Sequence, residues 1–135
     1  MNIQLQSVPA HWVAYRRATC RHEEIGSIIT SPQMLGAVYE FASGNLGESR
    51  APYARYLEWR ESDCDLQAGV QLAGPMQSTD GTTTDHYSAC KALVGVFIGP
   101  YHQLVDAHAE IRAYANAEGH VLSGPCWEVY DGPPA

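Results

Sequence analysis

The sequence predicts an α+β domain with a mainly antiparallel sheet and two helices. Three observations carry that expectation. Residues 66–72 alternate Leu, Ala and Val with Gln and Gly at period two, as a half-buried strand must, and 53–59 read as a strand with aromatic residues on both faces. Apolar residues recur at helical spacing after Ser31-Pro32 and again after Gly99-Pro100. A length of 135 residues with 45% hydrophobic content suits one core rather than two.

Taken in order, HWVAYRRA at 11–18 carries Trp, Val, Tyr and Ala without a helical stripe, and the first strand is expected there. A polar segment follows. Ser31-Pro32 then predicts a helix start, with Ser satisfying free N–H groups and Pro occupying the first turn without losing a bond. Met34, Leu35, Val38, Phe41 and Ala42 mark its apolar face, and Gly44-Asn45 stops it. NLGESRAP at 45–52 reads as a loop. The strand 53–59 sets Tyr53, Arg55, Leu57 and Trp59 against Ala54, Tyr56 and Glu58, and the strand 66–72 pairs with it as a hairpin. Residues 74–84, rich in Gly, Pro, Ser and Thr, form a surface connection. The apolar run YSACKALVGVF at 87–97 ends at Gly99-Pro100, and Tyr101, Leu104, Val105, His108, Ile111 and Ala115 mark a second helix that Gly119 closes. The last strand is CWEVY at 126–130, bounded by Gly124-Pro125 and Gly132-Pro133-Pro134. Strand, helix and strand follow one another in both halves, which suggests a duplication within a single domain spanning 1–135, with repeats at about 8–73 and 85–131.

Carboxylates outnumber Lys and Arg fifteen to eight, giving a formal charge of −7. That field opposes nucleic acid, whose binding is driven by basic groups neutralising phosphates, and favours a neutral or positive small molecule. No run of about 18 apolar residues and no basic, then apolar, export signal occurs, so a cytoplasmic protein without a membrane span is expected. Cys20, Cys64, Cys90 and Cys126 lie too far apart for a zinc pair and read as reduced thiols. His22-Glu23-Glu24 lacks the second histidine of a metalloprotease helix, and His102 and His108 lie too far round a helix to share an ion. Neither a metal nor a cofactor is expected, since no glycine loop is shaped to cradle a phosphate.

Glu128 interrupts an apolar strand between Trp127 and Val129, and alternation places it on one face with Cys126 and Tyr130. Such a carboxylate is either solvated or a buried anion that gains when a cation arrives. Ten aromatic residues on expected strands or at a helix start, Tyr56, Tyr101, Trp127 and Tyr130 among them, could supply the rings of a pocket around it. Any single one of them could equally be core.

With these residues in view, the sequence resembles the GyrI-like small-molecule-binding domain, also found as the effector-binding part of AraC-type and multidrug-responsive transcription regulators. SGPCWEVYDGPP at 123–134 resembles that family's small-Pro-aromatic-Glu-x-Tyr ending, and VFIGPYHQLVDAHAEIRAYANAEG at 96–119 resembles its Gly-Pro-Tyr turn and following helix. ARYLEW at 54–59 and LQAGVQL at 66–72 occupy its Tyr-x-acid and Gly-Val strands. The resemblance implies two strand-helix-strand-strand repeats around a cavity on a pseudo-twofold axis. It implies Glu128 as the pocket glutamate, with Tyr56, Tyr101, Trp127 and Tyr130 as pocket aromatics. Family members usually continue into one more strand, so the second repeat looks short, and a homodimer through the open sheet edge is one way to cover it. No helix-turn-helix flanks the domain, so a self-contained regulator is not expected.

Three functions compete. The first is binding of hydrophobic or cationic small molecules, as a sensor or sequestering protein for toxic compounds. The second is hydrolysis of strained electrophiles, as in some stand-alone relatives, with Glu128 as base and Tyr101 or Tyr130 as acid. The third is interaction with DNA gyrase as an inhibitor, which the name-giving relative implies and an acidic surface would suit.

Overall fold

A computed structural model describes residues 1–79 and 81–131. Its strands are Ile3–Val8 (β1), His11–Arg21 (β2), Tyr53–Trp59 (β3), Asp63–Leu72 (β4), Thr83–Tyr87 (β5), Cys90–Gly95 (β6) and Cys126–Val129 (β7), and its α-helices are Ile25–Ile29 (α1), Ala37–Ala42 (α2) and Leu104–Glu118 (α3). The chain is α+β with antiparallel sheets, the class the alternating and helical periods predict. No helix among the described residues is long and apolar enough to cross a membrane.

Residues 11–87 and 124–131 form one compact unit. Its five-stranded sheet runs β5-β2-β4-β3-β7, every pair antiparallel. The expected hairpin of β3 and β4 is present, and two strands from the second half of the chain, β5 and β7, complete the sheet. Strand alternation gives this sheet two different faces. One carries Ala14, Val70 and Leu72 against Val38 and Ala42 of α2, and Cys20, Ala54, Tyr56, Cys64 and Leu66 against Ile29, Met34 and Leu35. The other carries Val13, Tyr15, Tyr53 and Tyr87, with Trp127 packed on them. Cys20 and Cys64 face each other across β2 and β4, both buried, and burial pushes the Cys64 thiol up to about 12.

Residues 1–10 and 88–123 form the second unit, in which β1 and β6 make an antiparallel two-stranded sheet and α3 supplies the helix. Gly119 closes α3 in the left-handed conformation at φ 76°, and the His120 N–H donates to the Ala115 carbonyl at 2.8 Å.

Several elements depart from the sequence expectation. The first strand is β1, not 11–18; its IQLQSV alternation is short and mostly exposed, so it shows no buried stripe. The polar segment after β2 contains α1, whose Ile25, Ile28 and Ile29 stand at helical spacing and pack on the sheet. Ser31 does not cap with its side chain: its Oγ donates back to the Ile28 carbonyl, while Pro32 opens a wide π turn over Pro32–Gly36 that leads into α2. The apolar run at 87–97 breaks at Ser88-Ala89 and serves two sheets, Tyr87 ending β5 and Cys90 beginning β6. The Gly132-Pro133-Pro134 stop expected after the last strand lies outside the described residues.

Candidate functional site

β7 is short and pairs with β3 in the register Ala54↔Glu128, Arg55↔Trp127 and Tyr56↔Cys126. Because side chains alternate across the sheet, Glu128 projects to the helix-covered face and Trp127 to the other. Tyr56 reaches the carboxylate from the neighbouring strand, its hydroxyl donating to Glu128 Oε1 at 2.9 Å. Tyr130, two residues on from Glu128 and on the same face, donates to that same oxygen at 2.5 Å. The two phenol oxygens lie 3.5 Å apart. The Tyr130 backbone N–H donates to the Pro52 carbonyl at 2.9 Å, which carries the register of β7 past its last strand residue.

The surroundings are apolar. Tyr56 is 7% exposed and packs with Ile29, Met34, Leu35, Cys64 and Leu66, and Tyr130 lies against the same cluster. Burial first, then the Glu128 charge, raises the Tyr56 phenol far above its ordinary range. Burial first, then Tyr56 and Glu128, does the same to Tyr130. Both phenols are therefore protonated donors at any physiological pH. A β-bulge between Tyr56 and Glu58 shifts the alternation, so Trp59 pairs with Cys64 and meets the Tyr56 ring edge-on at 5.5 Å. Strict period-two reading had placed Trp59 on the opposite face from Tyr56.

Of the five residues singled out in the sequence, Glu128, Tyr56 and Tyr130 come together. Trp127 lies on the far face of the sheet, where its ring packs against Tyr53 and Tyr87. Tyr101 belongs to the other unit, at the single 3₁₀ turn that precedes α3, and is 44% exposed. The residues that sequence reasoning missed are Ile29, Met34 and Leu35 as the cover over Tyr56, and the isoleucine spacing of α1 was the signal for the first of them. Among the described residues no group of three His, Cys, Asp or Glu side chains converges as a metal site would require.

No protein-family model matches the chain. No curated protein sequence matches it either. Solved structures do. EcmrR in a cryo-EM structure of its complex with DNA superposes with a TM-score of 0.85 at 18% identity, over 98% of this chain and 50% of that one. The EcmrR C-terminal domain alone gives 0.83 at 18% identity, over 96% of this chain and 83% of that one. The fold is the GyrI-like one. SAV2435, in a structure described as bound to tetraphenylphosphonium, shares this GyrI-like fold with a TM-score of 0.70 at 15% identity, over 98% of this chain and 86% of that one. The present chain thus spans half the length of the EcmrR chain in the DNA complex.

Proposed function

We propose that this chain binds hydrophobic or cationic small molecules, as a sensing or sequestering domain, with Glu128 as the anion that a cation meets. The observation that carries this is a half-buried carboxylate held by two phenol donors inside an apolar cluster. A carboxylate removed from water gains most when a positive group arrives, and aromatic rings offer that group their negative faces. Support comes from the fold: SAV2435, which shares it, is described as bound to tetraphenylphosphonium, a lipophilic cation. The reading rests on Glu128, Tyr56 and Tyr130, and needs neither Trp127 nor Tyr101. It treats residues 1–135 as one ligand-binding domain.

Calorimetric titration with tetraphenylphosphonium tests it. Wild type should bind, and Glu128→Gln should bind at least about tenfold more weakly, a difference near 1.4 kcal/mol. Equal affinity in the two proteins would remove Glu128 from the site.

A second reading, hydrolysis of a strained electrophilic ring, is favoured by the Tyr130 hydroxyl lying 2.5 Å from the carboxylate, since a protonated phenol and a carboxylate are an acid and a base in contact. It expects a ring-opened product from an epoxide substrate, lost in Glu128→Gln and in Tyr130→Phe. Saturable binding with no product returns the first reading alone.

A further inference from the structure

The side of the sheet facing away from Glu128 carries a different chemistry. Arg55 stands there with Tyr53 and Trp127, because register pairs it with Gln67 and Trp127. Its guanidinium carbon lies 4.4 Å from the centre of the Tyr87 ring and 4.7 Å from that of Trp127, a cation in the corner of two rings that meet edge-to-face at 5.1 Å. The Tyr87 hydroxyl donates to Gln67 Oε1 at 2.9 Å, the Tyr53 and Tyr87 hydroxyls lie 3.1 Å apart, and the Arg55 side chain also interacts with the Tyr87 oxygen. Arg55 Nε is left buried, donating to nothing among the described residues. Nor does Arg55 form an ion pair among them. Of the Lys and Arg side chains only Arg21 and Arg60 form ion pairs among the described residues, and what sets Arg55 apart from the other unpaired ones is the burial of its Nε. The side chain as a whole is half-buried, but a buried N–H without an acceptor is costly.

Beside it is a cavity of about 80 Å³, lined by His11, Val13, Ser49, Tyr53, Gln71 and Trp127 among others, with no carboxylate in its wall among the described residues. Trp127 is common to both features, since its ring covers the guanidinium and also lines the cavity. β7, which carries Trp127, is an edge strand paired only with β3 among the described residues, so its ring can give way at modest cost.

We infer that this face is a second binding site, for a small aromatic monocarboxylate whose anion meets the Arg55 guanidinium and whose ring lies against Trp127. The Nε–H and the adjoining Nη–H of arginine form a fork that matches the two oxygens of a carboxylate, and lysine lacks that fork. The inference does not rest on Glu128, which projects to the opposite face.

Benzoate, with the neutral isostere benzamide, is the probe. Calorimetric titration of the wild type should show benzoate binding at about 1 mM or tighter, with tryptophan fluorescence changing as Trp127 moves, and benzamide at least tenfold weaker. Arg55→Met should abolish the benzoate signal. Arg55→Lys, which keeps the charge and is the safer fold, should weaken benzoate about tenfold while leaving tetraphenylphosphonium binding unchanged. No benzoate heat in the wild type, equal affinity for benzoate and benzamide, or full benzoate affinity in Arg55→Lys would each overturn the assignment. Loss of tetraphenylphosphonium binding in Glu128→Gln with benzoate binding absent from the wild type would leave the Glu128 reading standing and this one refuted.

Discussion

Gly69 sits at the centre of three strands, opposite Tyr15 on one side and Tyr53 on the other. A Cβ there would come within 2.2 Å of the Ala14 carbonyl oxygen, 2.8 Å of Tyr15 Cβ and 3.0 Å of the Tyr53 hydroxyl. Two of those neighbours are backbone or backbone-proximal and cannot turn aside, so Gly69→Ala should destabilise the fold by about 3 kcal/mol, read from urea unfolding. Asp65 offers a pH test at the same scale. Hydrogen bonds from the Arg60 guanidinium, at 2.8 Å, and from Thr19 Oγ1, at 2.7 Å, hold its carboxyl at about 2, below the ordinary 3.8. A depressed carboxyl adds stability above its unfolded pKa and loses it as pH falls through the folded one. Melting temperature should therefore fall between about pH 4 and pH 2, and Asp65→Asn should flatten that part of the curve. Glu128 was legible in the sequence because a charge inside an apolar strand stands out against period two. That both Tyr56 and Tyr130 donate to one of its oxygens was not, because strand register decides which side chains meet.

At the scale of the element, the glycine stops were the most legible signals, whereas the Ser31 side chain does not make the cap its position suggests. Gly119 was expected to end the second helix, and it does so with φ at 76°, where any side chain adds strain. Gly119→Ala should lower the stability of α3 by about 1 kcal/mol, seen as faster amide exchange in its last turn. After α2 the cap residue is Ser43, and Gly44 at φ 84° follows it in a turn closed by the Asn45 N–H donating to the Ala42 carbonyl at 2.8 Å. Errors cluster where a local pattern was outvoted by packing. CRHEEIGSIIT reads as polar on composition, yet Ile25, Ile28 and Ile29 form one stripe once β2 has a face to cover. YSACKALVGVF reads as one apolar run, but an apolar run does not reveal which sheet each half will join. The β3 bulge is the same lesson, since one irregular residue moves Trp59 to the Tyr56 side with no mark in the composition.

The whole molecule carries a formal charge of −7. Attraction of a lipophilic cation by that field weakens as salt screens it, so raising ionic strength from about 10 mM to about 150 mM should weaken tetraphenylphosphonium two- to threefold in calorimetry. A neutral aromatic of similar size should show no such change. Hydrophobic periodicity and charge are properties of the chain read one residue at a time, and from them the sequence by itself determined the α+β class, the antiparallel hairpin, the helix after Gly99-Pro100 and the carboxylate worth watching. Tertiary structure alone decided that β5 and β7 join the sheet begun by β2, β3 and β4, which of the two faces Glu128 shares with the helices, and that Arg55 packs on the rings of Tyr87 and Trp127. Those outcomes depend on pairings between residues as far apart in the chain as His11 with Tyr87 and Tyr53 with Val129. Such pairings are chosen by the joint packing of all the strands, and no local window of sequence contains them.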